Sequence, residues 1–171
     1  MKRLYLLRHG QTEFNVKKLV QGRCDSPLTD LGRQQAQAAA ARLTCELLGP
    51  DAAVEPCEGI IERGYGTFEE GPHDALPTDV WDPGEDLVPF GGEGSQALQE
   101  RMVDALTNLM SSEGIETLLA VSHGSASRQF IKAAAPEGFE LPANLPNCAI
   151  IIFDFDEQKP QAEDSASSYR R

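Results

Sequence analysis

A chain of 171 residues, 40% apolar and 25% charged, has the make-up of one ordinary globular domain with a core of its own. Its formal net charge of −12 excludes nucleic acid and anionic membrane surfaces as partners, because both need a basic face. No apolar stretch is long enough to span a bilayer, the opening MKRLYLLRHG has too short an apolar run for a signal peptide, and a cytoplasmic location is expected.

Residues 3–7 predict a buried strand that stops at Arg8-His9-Gly10. From Gln11 to Pro27 there is no period, and Gly22 and Pro27 predict a loop in which Thr12 makes an ordinary turn bond. Thr29 predicts the cap of a helix through DLGRQQAQAAAARLTCELL, rich in good helix formers and ended by Gly49-Pro50. The next stretch, up to Gly94, predicts one short strand near Val54 and then a long surface excursion, a length that suits function better than plain connection. Ser95 predicts the cap of a second helix, in which Leu98, Met102, Leu106, Leu109 and Met110 follow a helical period, with Gly114 as its stop. TLLAV (117–121) predicts a second buried strand, followed by Ser122-His123-Gly124 and a helix through Ala135. CAIIIFDF (148–155) predicts a third strand, and the polar stretch 158–171 predicts a tail without order after a single domain of residues 1–157. Strands alternating with helices give an α/β fold with a largely parallel sheet.

One internal echo stands out. LYLLRHG and LLAVSHG are each four apolar residues, one more residue, then His-Gly. Each predicts a buried strand delivering a histidine at its carboxyl end, where ligands bind on parallel sheets. If the two strands are neighbours, about 5 Å apart, His9 and His123 meet in one crevice. The alternatives are two ordinary turns with satisfied histidines, or a metal site, for which the local spacing is not a ligand motif. Arg8 adds a planar fork suited to phosphate oxygens. A neutral imidazole can attack phosphorus, and a protonated one can neutralise phosphoryl charge. Gly10 and Gly124 let the backbone come close to a ligand. The third histidine, His73, sits in a Gly/Pro/Asp loop and is expected to be solvated. The four cysteines (Cys24, Cys45, Cys57, Cys148) include no C-x-x-C pair and are expected to be thiols.

The segments LYLLRHGQTEFN, QGRCDSPLTDLGRQQA, IIERGYGTFEEG and VSHGSASRQF resemble, in order, the histidine phosphatase superfamily, which includes cofactor-dependent phosphoglycerate mutase. The resemblance runs from Met1 to about Phe155. It implies a three-layer α/β sandwich, with a mostly parallel central sheet and helices on both faces. It also implies an enzyme, a phosphatase working on a small phosphorylated metabolite through a phosphohistidine on His9. Arg8 and His123 would hold the phosphoryl oxygens, with Asn15 and Gly124 nearby. Gln11, Thr12, Glu13 and Phe14, with Gln21 and Gly22, would line the entrance. Glu62 matches the general acid, and Arg63 and Tyr65 would sit beside the substrate. A carboxyl group next to a phosphate dianion holds its proton more tightly, which suits Glu62 to that role. No cofactor and no metal is expected, and a homodimer stays open.

Two departures bear on function. The family carries a second phosphate-binding arginine in a stretch like S-x-L-x-R-A-x-x-T-A, and here AAAARL runs straight into TCELLGPDAAVEP. Losing one such clamp costs several kcal/mol of transition-state stabilisation, so a true deletion leaves a crippled enzyme or a non-catalytic phosphoryl-binding module. Arg42 and Arg63 are candidate substitutes outside the family motif. The second departure is in GPHDALPTDVWDPGEDLVPFGGEG, which holds no Lys or Arg where the mutases carry basic residues for a carboxylate. Ser125 also stands where the mutases tend to have asparagine. Both points favour hydrolysis over a mutase reaction. The substrate stays open between sugar phosphates, a cobalamin-pathway nucleoside phosphate and phosphoprotein.

Overall fold

The computed structural model describes residues 2–46, 54–136, 138–141 and 144–155. The elements run β1 (Lys2–Arg8), α1 (Glu13–Lys17), α2 (Asp30–Glu46), α3 (Ser95–Ser111), β2 (Thr117–Ser122), α4 (Gly124–Ala134) and β3 (Ile150–Phe155). Four short 3-10 turns break up the segment between α2 and α3. The strand order is β2-β1-β3, with β1 parallel to β2 and antiparallel to β3. The sheet is therefore mixed. β1 is its central strand, which is why Leu4 to Arg8 are all buried.

Alternation along β1 assigns its two faces. Leu4 and Leu6, with Ala120 of β2, pack against Leu98, Met102, Leu106 and Met110 of α3 and Ala126 and Phe130 of α4. Tyr5 and Leu7 turn the other way, toward Ala39 and Leu43 of α2. Helices thus cover both faces of the sheet, as three layers require. Four of the apolar positions in the α3 period are less than 2% exposed, and truncating one to alanine costs about 2–5 kcal/mol.

Helix starts and stops follow local chemistry. Thr29 caps α2, its Oγ1 accepting from Gly32 N at 3.0 Å. Ser95 opens α3 but does not cap it; Gly94 holds that position, and the Ser95 hydroxyl accepts from Arg63 instead. α3 ends at Ser111, and Gly114 follows with φ of 81°.

Three expectations need correction. The stretch from Gln11 to Pro27 is not all loop. It contains α1, started by a capping box in which the Thr12 hydroxyl accepts from Asn15 N and Asn15 Oδ1 accepts from Thr12 N. No strand forms at Val54–Cys57. Val54 is 96% exposed there, and no strand lies on the outer edge of β2, among the described residues, for it to extend. His73 is not a free surface residue, for its Nε2 bonds Leu19 O at 3.1 Å and the ring is half-buried. Gly49-Pro50 and the tail 158–171 lie outside the described residues.

Candidate active site

The register of β1 on β2 pairs Arg8 with Ser122 and so brings the next residues, His9 and His123, side by side. Their ring centroids are 5.1 Å apart. The exits are pinned to each other and to the turn before β3. His9 N donates to Ser122 O at 3.0 Å, and Cys148 N donates to Arg8 O at 3.0 Å. His9 Nδ1 lies 2.7 Å from Gly10 O. A carbonyl only accepts, so Nδ1 carries the hydrogen and Nε2 keeps its lone pair. Burial pushes the pKa of His9 down to about 4, with the neighbouring His123 and Arg8 adding to the effect. Burial also lowers that of His123, again helped by Arg8. Both rings are neutral at pH 7 before any anion arrives.

Arg8 is buried. It donates from Nη1 to the Leu145 carbonyl, and its guanidinium carbon sits 4.9 Å from the ring centroid of Trp81. Its Nε is buried with no hydrogen-bond partner among the described residues. A buried N–H left unpaired is costly, and an anion in the pocket that Arg8 lines is a natural acceptor for it.

Glu62 enters from the segment after α2. Its Oε1 accepts from Ala126 N and Arg63 N, both at 2.8 Å, and Oε2 accepts from Ser125 N at 3.1 Å. The first turn of α4 thereby fixes the carboxylate plane. Arg101 of α3 supports the segment from behind, donating to Gly59 O at 3.0 Å and Ile61 O at 3.1 Å while it grips Glu93. Arg63 is fully buried and spent on structure. It donates to Ser125 Oγ at 3.0 Å, Glu93 O at 2.7 Å and Ser95 Oγ at 2.9 Å.

The resulting pocket is lined by Arg8, His9, Asn15, Gln21, Gly22, Glu62, Tyr65, His123 and Gly124 of the predicted set. Gln11, Thr12, Glu13, Phe14 and Arg63 do not line it. Thr12 acts one step back, donating to Gln21 Oε1 at 2.8 Å. Gln11 braces α2 through Gln35 and Thr29. Arg42 is exposed on α2, so neither candidate substitute supplies a cation here. Gly10 serves packing rather than a ligand, because a Cβ there would collide with the Gly32 carbonyl. The reading of the sequence missed Leu19, His73, Val80, Trp81 and Ser125 on the pocket wall. One signal was available, the single tryptophan of the chain lying in its longest irregular segment.

Residues 4–52 and 41–167 match the sequence profile of the histidine phosphatase superfamily (branch 1). The chain belongs to that superfamily. A probable phosphoglycerate mutase GpmB from Enterobacter sp. (strain 638) is 30% identical over 189 residues, covering 92% of this chain and 86% of its own. The protein of the same name from Proteus mirabilis is 31% identical over 184 residues, covering 91% and 86%. Both alignments are longer than the 171-residue chain, so these histidine phosphatase relatives carry residues for which it has no counterpart. The superfamily profile likewise matches in two stretches that overlap at 41–52, the place where AAAARL runs into TCELLG. Among solved structures, YhfR of Bacillus stearothermophilus shares the fold with a TM-score of 0.75 at 24% identity, covering 92% of this chain and 93% of its own. A phosphoserine phosphatase mutant from Entamoeba histolytica, solved with phosphoserine, reaches a TM-score of 0.72 at 26% identity and covers 92% of each chain. Among the described residues, no helix is long and apolar enough to cross a membrane.

Proposed function

We propose that this histidine phosphatase is a phosphomonoesterase, which moves the phosphoryl group of a small metabolite onto Nε2 of His9 and from there to water. One observation carries the reading: two half-buried imidazoles 5.1 Å apart beside a buried guanidinium whose Nε has no partner among the described residues.

The Nε2 lone pair attacks phosphorus as the ester P–O bond breaks. Arg8 and His123 meet the equatorial oxygens, His123 taking up a proton as the dianion binds. Asn15 is pre-set for the same task. Its Oδ1 is occupied by Thr12 N and by Asn147 Nδ2, each within 3.2 Å, which turns its own Nδ2 toward the ligand. Glu62 has the free lone pair of Oε2 for a proton, which goes to the leaving oxygen. The carboxylate then takes a proton from water as that water attacks the phosphohistidine, returning His9 to its starting state.

Hydrolysis is favoured over a mutase reaction because Arg8 is the only Lys or Arg lining the pocket among the described residues. A phosphoglycerate carboxylate would have no cation to hold it. The reading also rests on chain chemistry alone, with no metal or cofactor in any step. The test is release of inorganic phosphate from p-nitrophenyl phosphate without added metal, lost in His9→Ala. Turnover that survives His9→Ala rejects the mechanism. Isomerisation of phosphoglycerate that needs a bisphosphate primer would establish a mutase instead, and vanadate binding without turnover would establish a binding module.

A further inference from the structure

The pocket wall facing the histidines is built from groups that the proposed chemistry leaves unused. Val80 and Trp81 line it with Leu19 and Tyr65. Trp81 is held from several sides. Its backbone N–H donates to Asp79 Oδ1 at 2.9 Å, and Tyr65 Oη donates to the carbonyl of the preceding Val80 at 2.7 Å. The next residue, Asp82, accepts from Gln129 at 2.8 Å and from Lys132, both on α4. The indole rests against the start of that helix, where a Cβ at Gly124 would lie 2.5 Å from Cζ3. Two χ angles, a tethered backbone and the Arg8 guanidinium at 4.9 Å leave the ring little freedom.

The charges point the same way. Beyond the phosphoryl cluster, the pocket offers a second anion on the substrate no Lys or Arg among the described residues, and it presents the Glu62 carboxylate. Arg63 and Arg101 are near but spent on Glu93, Ser95, Ser125 and backbone carbonyls. A carboxylate would be desolvated unpaired, whereas a flat apolar group would bury area against Trp81, Val80 and Leu19.

Resting on the phosphomonoesterase reading, we infer that Trp81 is the specificity-determining residue and that the leaving group is an uncharged aromatic or similarly flat alcohol, not a carboxylated one. Binding of non-hydrolysable analogues to the intact protein tests this apart from leaving-group reactivity. Benzylphosphonate is expected to bind at least ~10-fold tighter than 3-phosphonopropionate, a ratio within reach of an apolar pocket. Trp81→Ala should bring the two within about 2-fold, and Trp81→Phe should keep most of the preference. Trp81 is the only tryptophan, so saturating benzylphosphonate should shift the intrinsic emission of the unaltered protein, a readout that needs no variant to fold. Equal or tighter binding of the carboxylated analogue, a preference unchanged in Trp81→Ala, or an emission that stays put at saturation would each overturn the assignment. If p-nitrophenyl phosphate is turned over while 3-phosphonopropionate binds as well as benzylphosphonate, the pocket assignment fails and the phosphatase reading stands. If nothing is turned over but the aromatic preference and its loss in Trp81→Ala persist, the phosphatase reading fails and the pocket assignment stands.

Discussion

The two edges of β2 have had different fates. On its inner edge every residue from Thr117 to Ser122 pairs with β1, and the paired exits deliver His9 and His123 into one pocket. On its outer edge no strand is present among the described residues. Val121, which shares a face with Leu119, is 51% exposed there. The difference shows which parts of the phosphoryl site need each other. His9, His123, Arg8 and Glu62 are positioned by β1, β2 and the first turn of α4, with no described strand on the outer edge of β2 contributing. Among the described residues, Arg8 is the only Lys or Arg lining the pocket.

The largest effects should come from the inner side. His9→Ala removes the attacking nitrogen and is expected to lower kcat for p-nitrophenyl phosphate by about 10⁴-fold or more, measured as phosphate release. Arg8→Ala comes next. With no second guanidinium lining the pocket among the described residues, it should cost ~10²–10³ in kcat/KM, with Arg8→Lys in between because an ammonium lacks the planar fork. A loss below tenfold would mean that another cation reaches the phosphoryl group, and the contrast between the edges would collapse. Glu62→Gln should cost ~10² with an alkyl phosphate and distinctly less with p-nitrophenyl phosphate, whose leaving group needs no proton. Equal losses on both substrates would remove Glu62 from the acid role.

How much of this was legible in the sequence depended on how local the cause was. β1, β2 and their His-Gly exits could be read because a buried run ending in polar residues is a local pattern. α3 could be read because Leu98, Met102, Leu106 and Met110 keep one period. α1 could not, since five residues carry no period and its cap uses Asn15 rather than the usual Glu or Gln. Ser95 looked like a cap, but the side chain was taken by Arg63 from 32 residues away. Arg63 itself reads as a substrate contact from its neighbours in sequence. Its burial against α3 and α4 is a tertiary fact with no local sign. Trp81 was hidden for the same reason, as its meaning lies in Arg8 and Gly124.

The pH response sharpens the comparison at smaller scale. His9 sits near 4 in the folded protein and near 6.5 when unfolded, so the unfolded chain binds the extra proton first. Stability is therefore unaffected by this group above about pH 6.5, falls as pH drops from there toward 4, and levels off below. Between pH 7 and 4.5 the ring should cost roughly 2–3 kcal/mol, and His9→Asn should lack that part of the decline in urea unfolding. Carboxylates titrate in both proteins and cancel in the difference. The same low value keeps the His9 ring unprotonated well below neutrality. The acid limb of kcat/KM should then show no loss at 6.5 from His9, and a break near 6.5 that persists in His123 variants would contradict the burial of that ring.

The smallest effect is expected on the outer side. Val121→Lys replaces a half-exposed apolar side chain, two residues before His123, that supports no residue of the pocket in the hydrophobic clusters of the fold. Surface substitutions of this kind stay within about 0.5 kcal/mol, and a lysine at an open strand also discourages pairing with another chain. Unfolding midpoint and kcat/KM should both remain close to the unaltered protein. The added ammonium gives the experiment its second use, because it places a cation on the edge of β2 that has no described strand beside it. A rise in activity would mean that charge supplied from the outer edge still reaches the phosphoryl group. An unchanged rate would mean that the inner-edge site works as a closed unit, with Arg8 as the only Lys or Arg lining it among the described residues.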